Sequence, residues 1–439
     1  MLAVKIKTCQ MDYDDVMKLP RPAHKKPCKP SRVLGLVMRA ASIPDLMAVK
    51  FKYTKKDMDK AGKGPYLVLM NHSSFLDLEI ASRILFPKRY NIVCTSDGFV
   101  GKEGLMRHLG CIPTQKFVSD ITLITDIKHA ILNNKTSVLM YPEASYSFDG
   151  TATPLPRLMG VLFKALRVPV LMITTYGSFA RDPLYNCLQK RKVNVTAELS
   201  CLLSADEVMS RSIEEIDGIL DDAFSFDYFA WQREKNLRIA EPFRADGLHR
   251  ILYKCTSCLS EGQMEGKGTK LTCHACGKVW ELDELGQLKD CSSDESPVGS
   301  ASESGPSFTH IPDWYKWERS CVKKEIEDGS YALDTEVDIG IIVDFKSLYM
   351  VGSGTLHHDA DGFVLDGCDG RLHYTQSPKE NYSLYSDYYW YEIGDVICIG
   401  KKDCLYYCFP KKKDVAAKTR IAAEELFKKV RAKRNTQTN

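Results

Sequence analysis

The sequence predicts an α/β domain with a mixed sheet flanked by helices, then a four-cysteine ribbon, then an all-β domain capped by a C-terminal helix. Three observations predict it. Short apolar runs alternate with helical patterns from about residue 65 to 177, two CxxC pairs stand fourteen residues apart at 255–276, and short strands separated by Gly/Asp turns follow residue 311. The 439-residue composition, 44% hydrophobic and 27% charged with a net charge of +3, excludes wholesale disorder. No apolar stretch approaches the ~18 residues of a spanning helix, which excludes a multispan membrane protein. The opening MLAVKIKTCQMDYDD lacks an apolar core followed by a cleavage site, so export is not expected and the sixteen cysteines read as mostly reduced thiols of a cytosolic protein.

Residues 1–30 form a basic entry segment, and RPAHKKPCKP (21–30) should carry neither helix nor strand. The first domain spans 31–248. In SRVLGLVMRA, Leu34, Val37, Met38 and Ala41 fall at helical spacing behind a possible N-cap at Ser31; the modest stripe favours packing on the core over an interfacial position. Strands follow at 66–70, 90–95, 111–115, 137–142 and 168–177, with helices after the first and in DITLITDIKHAILNN. Mixed helix, including SADEVMSRSIEEIDGIL, closes the domain. A ribbon occupies 249–289. The Ser/Gly/Pro-rich acidic stretch at 290–309 is a linker, and 310–439 is the β domain with its terminal helix.

NHSSFLD (71–77) carries the chemistry. His72 stands where a strand ends and a helix begins, the edge of an α/β sheet that commonly bears a site. Five helical steps would set His72 and Asp77 about 140° apart, so they pair only if His72 precedes the first turn and folds back. A carboxylate on one ring nitrogen leaves the other free to accept a proton. Ser73 and Ser74 read as capping groups, and there is no GxSxG elbow to supply a covalent nucleophile. A lone His and Asp in a polar turn is the competing reading of this pattern.

NHSSFLD resembles the NHxxxxD signature of the glycerolipid acyltransferases, the family that includes 1-acylglycerol-3-phosphate acyltransferase. LGCIPTQK (109–116), YPEASYS (141–147) and VPVLMITTYG (168–177) resemble its later blocks in the same order. The resemblance implies an O-acyltransferase moving an acyl chain from acyl-CoA or acyl carrier protein to the hydroxyl of a lysophospholipid, giving phosphatidic acid from 1-acylglycerol-3-phosphate. His72 would be the general base, oriented by Asp77, with oxyanion donors sought among N–H groups at the helix start. Asn71, Ser74, Lys116, Glu143 and Tyr146 would contribute to the substrate site. The departures are Lys116 for the usual arginine, Ala144 for glycine and Tyr146 for arginine, which weaken a phosphomonoester grip. Another lipid or small-molecule hydroxyl or amine acceptor is the alternative.

Cys255, Cys258, Cys273 and Cys276 form CxxC-x14-CxxC, a spacing that suits tetrahedral structural zinc, with iron the rival. His274 should face solvent. A nucleic-acid ribbon is the competing class, but Glu281, Asp283 and Glu284 follow the lysines directly, so nucleic acid is not the expected partner and a brace between domains is. The β domain weakly resembles a pleckstrin-homology or GRAM-like fold in element order. HHDADG (357–362) reads as a hairpin turn and YSDYYWYEIG (385–394) as a strand face. Residues 411–434 hold ten Lys/Arg against three Asp/Glu; with Ile421, Leu426, Phe427 and Val430 inward, the charges would meet solvent, acidic carrier protein or anionic lipid. The expected location is cytoplasmic, peripheral to the inner face of the cell membrane.

Overall fold

The computed structural model describes residues 5–291 and 306–437. Most of the linker expected at 290–309 lies outside the described residues.

The entry segment is more committed than its composition suggests. β1 (Thr8–Gln10) adds in parallel to a strand of the C-terminal sheet, and the helix Tyr13–Lys18 buries Val16 in that domain's core. Residues 21–30 carry no regular structure, as expected, but they are fastened across the α/β domain. His24 Nε2 meets Asp126 at 3.0 Å, Lys25 meets Glu103 at 3.0 Å, and Asn91 donates to the Cys28 carbonyl at 3.1 Å. The N-terminus therefore ties the two ends of the molecule together.

In the first domain, β2 (Lys52–Lys56), β3 (Leu67–Met70), β4 (Tyr90–Thr95), β5 (Cys111–Thr114), β6 (Ser137–Met140), β7 (Val170–Tyr176) and β8 (Thr196–Leu203) form one sheet in the order β2-β8-β7-β3-β6-β4-β5. Every pair is parallel except β7–β8, so the sheet is mixed. Along β3, Val68 and Met70 enter one core with the helix Leu76–Leu85, whereas Leu67 and Leu69 enter another with the helices Met159–Leu166 and Ile213–Phe224. A strand covered on both faces must be apolar at every position, and LVLM is. β2 and β8 were not anticipated.

Ser31 caps the helix Arg32–Ala48, its hydroxyl accepting from Leu34 N. The core position expected for this helix holds only in part. Ser42 and Leu46 are buried and Leu34 and Met38 half-buried, but Val33, Leu36, Val37, Ile43 and Met47 are 50–71% exposed. The helix packs along Leu76–Leu85 through one narrow edge and leaves an apolar face outside.

The ribbon strands β9 (Met264–Lys267), β10 (Lys270–Cys273), β11 (Val279–Leu282) and β12 (Leu288–Asp290) make an antiparallel sheet. Its Met264, Leu271 and Trp280 share one core with Phe179, Tyr185 and Tyr228 of the first domain and with Trp314 and Ile421 beyond it.

The C-terminal domain holds β13 (Leu333–Ile341), β14 (Leu348–Asp359), β15 (Gly362–Gly367), β16 (Leu372–Gln376), β17 (Tyr385–Trp390), β18 (Gly394–Lys401) and β19 (Cys404–Pro410), antiparallel in the order β16-β15-β14-β13-β19-β18-β17, with β1 added on β14. HHDADG is the β14–β15 hairpin, as expected. Two expectations are corrected. The domain opens with an 18-residue helix, Ile311–Asp328, whose Ile311, Trp314, Tyr315, Glu318, Val322 and Ile326 recur every three to four residues on its buried side. The C-terminal helix Ala416–Gln437 is not a free basic rod: residues 416–417 and 419–426 are buried, Lys418 pairs with Glu261 and Glu325, and Arg420 with Glu424. Small alanines at 416, 417, 422 and 423 let it sink into the core, which turns the charges of its first turns into internal ion pairs.

Candidate active site

His72 sits just past the end of β3, and the next helix begins at Leu76, so it precedes the first turn as pairing requires. Its Nδ1 lies 3.2 Å from Asp77 Oδ2. That same oxygen accepts from Ser73 N at 2.8 Å and Ser74 N at 3.0 Å, while Oδ1 is buried without a partner. One oxygen of a fully buried carboxylate thus aligns the ring and closes the turn. The His72 side chain is 23% exposed, and burial holds its pKa below the usual histidine value against the opposing hydrogen bond and charge of Asp77. A neutral ring with Nδ1 committed to the carboxylate has Nε2 to receive a proton. Three of the N–H groups expected as oxyanion donors at the helix start are already engaged: Ser73 and Ser74 N bind Asp77, and Leu76 N binds Ser74 Oγ.

Tyr141 and Tyr146 flank the imidazole, their ring centroids 4.0 and 4.3 Å from it. Glu143 is buried and accepts from His72 N at 2.9 Å, from Thr153 N at 3.1 Å and from the Thr153 hydroxyl at 3.3 Å. Burial pushes its pKa up to about 7, against those bonds. Ser147 N binds the His72 carbonyl at 3.2 Å, so the 143–147 turn grips the His72 backbone from both sides. Asn71 exchanges bonds with Thr175 of β7, its Oδ1 accepting from the backbone N at 2.8 Å. Ser74 is wholly buried. The residues proposed from sequence therefore converge, but Asn71, Ser74 and Glu143 spend their polar atoms on holding the 71–77 turn.

Lys116 reaches the site from the end of the second block. Its Nζ lies 3.9 Å from Asp387 and 4.2 Å from the Tyr385 ring centre, both on β17, and its charge helps depress the His72 pKa. The C-terminal domain thus covers the site. Tyr385 OH donates to Asp97 at 2.6 Å, the Tyr388 ring packs tilted against Phe148 at 4.6 Å, and Arg420 Nη1 donates to Ser145 Oγ at 3.0 Å. None of these partners had a sequence signal, since each joins residues more than two hundred positions apart.

The four ribbon cysteines bring their sulfurs within 4.8 Å of one another. Cys255–Cys276 and Cys258–Cys273 stand at 3.8 and 3.7 Å, which is the edge of a tetrahedron with bonds of about 2.3 Å, the zinc–thiolate length. The donor set fits a closed structural metal site. His274 is exposed and bonds to Glu265 instead.

This His–Asp pair, at the edge of a mixed α/β sheet with an acid turn behind it, lies in a segment that is similar to known proteins. Residues 50–176, which hold the first three sequence blocks and the fourth up to Tyr176, match the Acyltransferase family. Human 1-acyl-sn-glycerol-3-phosphate acyltransferase beta is 26% identical over 129 residues, 29% of this chain and 45% of that protein, so the chain spans less than half the length of this relative. The crystal structure of the 1-acyl-sn-glycerophosphate (LPA) acyltransferase PlsC from Thermotoga maritima aligns over 44% of this chain and 81% of that one, at 13% identity and a TM-score of 0.33. The similarity to the acyltransferases lies within the α/β domain, over residues 50–176.

Proposed function

We propose that the chain transfers a fatty acyl group from acyl-CoA or an acyl carrier protein thioester to the free hydroxyl of a lysophospholipid, with 1-acylglycerol-3-phosphate the acceptor and phosphatidic acid the product. The observation that carries the reading is the 3.2 Å His72–Asp77 contact inside the matched segment. His72 Nε2 takes the hydroxyl proton as the oxygen attacks the thioester carbonyl. Collapse of the tetrahedral intermediate expels the thiolate, and the imidazolium returns the proton to that sulfur. Asp77 holds the ring and offsets its transient charge. Lys116 serves the acceptor's anionic end, Tyr146 shapes the wall beside His72, and Glu143 fixes the turn. Zinc at the four cysteines would be structural, since four thiolates leave no site for substrate.

Such a substrate pair demands a bilayer surface, and among the described residues no helix is long and apolar enough to cross one. The exposed apolar face of Arg32–Ala48, with Phe86 beside it, is the docking surface we assign; Arg39 lies 4.1 Å over the Phe86 ring. The decisive experiment offers long-chain acyl-CoA, and separately acyl carrier protein thioester, to purified protein with a panel of lysophospholipids, monoacylglycerol and amine acceptors. Products are identified by mass spectrometry beside a folded His72→Ala control. Transfer to lysophosphatidic acid that vanishes in the control supports the reading. Transfer only to an amine or a neutral lipid, or an active His72→Ala variant, sinks it.

A further inference from the structure

Arg420, in the first turns of the C-terminal helix, is 3% exposed. Its Nε lies 3.3 Å from Glu424, and Glu424 is itself fixed by Ser383 at 2.6 Å and Arg319 at 2.8 Å. With that edge anchored, the other end of the guanidinium points into the first domain. Nη1 donates to Ser145, the residue before the tyrosine that flanks His72, and the carbon lies 4.5 Å from the Phe148 ring centre. Nη2 is buried and has no partner. An unused donor pair on a buried cation is costly, and a ligand that accepts from it removes the cost.

Lys116 lies in the same region, beside Asp387 of β17. The carboxylate of Asp387 feels both cations, but it touches Lys116 only at 3.9 Å, the outer edge of an ion pair. Arg420 also lines a cavity of about 500 Å³, with Phe148, Thr153, Tyr315 and Arg319 among its walls. Thr153 is the residue that bonds Glu143, so the cavity backs directly onto the turn that grips His72.

We propose that Arg420 and Lys116 form a two-cation clamp for the phosphate of the acyl acceptor, with Asp387 the internal counter-ion that the phosphate displaces. The proposal rests on the lysophospholipid reading above. It makes the C-terminal domain part of the substrate site, supplying from a distant part of the chain the guanidinium that the 141–147 block lacks. A phosphate brings more negative charge and more acceptor oxygens than one carboxylate, and guanidinium–phosphate contacts are strong and directional. Asp387, which burial already pushes up to about 6, takes up a proton once its cations turn to the phosphate.

The test uses the full chain. Binding of glycerol 3-phosphate, with glycerol as the uncharged control, is measured by calorimetry for wild type, Arg420→Lys and Asp387→Asn, alongside melting temperatures and KM for lysophosphatidic acid and monoacylglycerol. Arg420→Lys is expected to weaken glycerol 3-phosphate at least tenfold and to raise the ratio of the two KM values by a similar factor. Asp387→Asn is expected to tighten binding severalfold and to lower that ratio. No binding to wild type, equal affinities in all three proteins, or weaker binding in Asp387→Asn overturns the clamp. If the affinities shift as expected while no acceptor is acylated, the clamp stands and the lysophospholipid reading falls. If lysophosphatidic acid is acylated and neither variant moves the KM ratio, the reading stands and the clamp falls.

Discussion

Replacing Asp77 by asparagine isolates one physical quantity, because of how its oxygens are used. Oδ2 accepts all three hydrogen bonds and Oδ1 none, so an amide whose carbonyl occupies the Oδ2 position keeps Ser73 N, Ser74 N and His72 Nδ1 satisfied. The turn and the ring tautomer survive, and the negative charge is lost. A unit charge about 4 Å from the imidazolium is worth about 4 kcal/mol at an effective dielectric near 20. At 1.36 kcal/mol per decade, kcat should fall by roughly 10²–10³. Asp77 also raises the His72 pKa by hydrogen bond and charge, so its neutralisation must move the acid limb of the rate–pH profile to lower pH, because the base is active only when unprotonated. Acyl transfer from pH 5 to 9 reads both effects, and circular dichroism checks the fold, since the amide NH₂ is buried unpaired at a cost of about 1–3 kcal/mol. A variant that keeps more than a tenth of the wild-type rate, or whose acid limb moves up in pH, would refute the reasoning.

Three further predictions concern stability and location. Burial raises the Glu79 pKa to about 7 and leaves its Oε2 without a partner, so its contribution to stability is complete below about pH 4 and is lost as pH rises through 7; Glu79→Gln should raise the melting temperature at pH 8 and leave it near wild type at pH 4, and equal shifts at both pH values would contradict this. Each chain should carry one zinc by elemental analysis, and chelation or Cys273→Ser should lower the melting temperature by about 2–4 °C per kcal/mol lost and red-shift tryptophan emission, since Trp280 and Trp314 pack at 5.0 Å in the shared core; chelation that strips metal without moving either signal would show the ribbon does not brace that core. Val33→Asp and Val37→Asp should each weaken flotation with anionic vesicles about tenfold or more while melting near wild type, because burying a valine is worth roughly 1.5–3 kcal/mol and both side chains are exposed; undiminished flotation of the double variant would remove this helix as the docking surface.

The sequence carried the site better than the frame around it. NHSSFLD announced both the pair and the condition for its meeting, because a strand end followed at once by a helix is a local pattern. Elements that went unread failed for different reasons. β2 is KYTKK, an exposed edge strand with no apolar alternation to find. β8 did alternate, burying Ala197, Leu199, Cys201 and Leu203, so its period was available. In IPDWYKWERSCVKKEIED the tryptophans and tyrosine suggest a strand, and only the spacing of buried side chains over eighteen residues identifies a helix. The basic C-terminal helix misleads most. Ten cations in 24 residues describe a solvated surface until partners are known; Glu424 stands four residues after Arg420 and was readable as its partner, but Glu261 and Glu325 have no local signal marking them as partners of Lys418.

The His72 turn is held from two directions that have little to do with each other in sequence. On one side Asp45, on the helix with the exposed apolar face, binds Lys190 at 2.7 Å and Arg181 at 3.2 Å, and Arg181 binds Asp182 at 2.7 Å. Asp182 is wholly buried beside Ser74, and burial lifts its pKa to about 7. This chain of charges runs from the helix with the exposed apolar face to Ser74, whose N–H binds Asp77. On the other side Glu143 and Ser147 grip the His72 backbone, and Ser145 between them is bonded by Arg420. Buried ion pairs seldom add net stability over apolar packing, but they are strict about geometry, since breaking one leaves an uncompensated charge. The geometry they hold here is that of one imidazole, set between an exposed apolar face and the C-terminal domain.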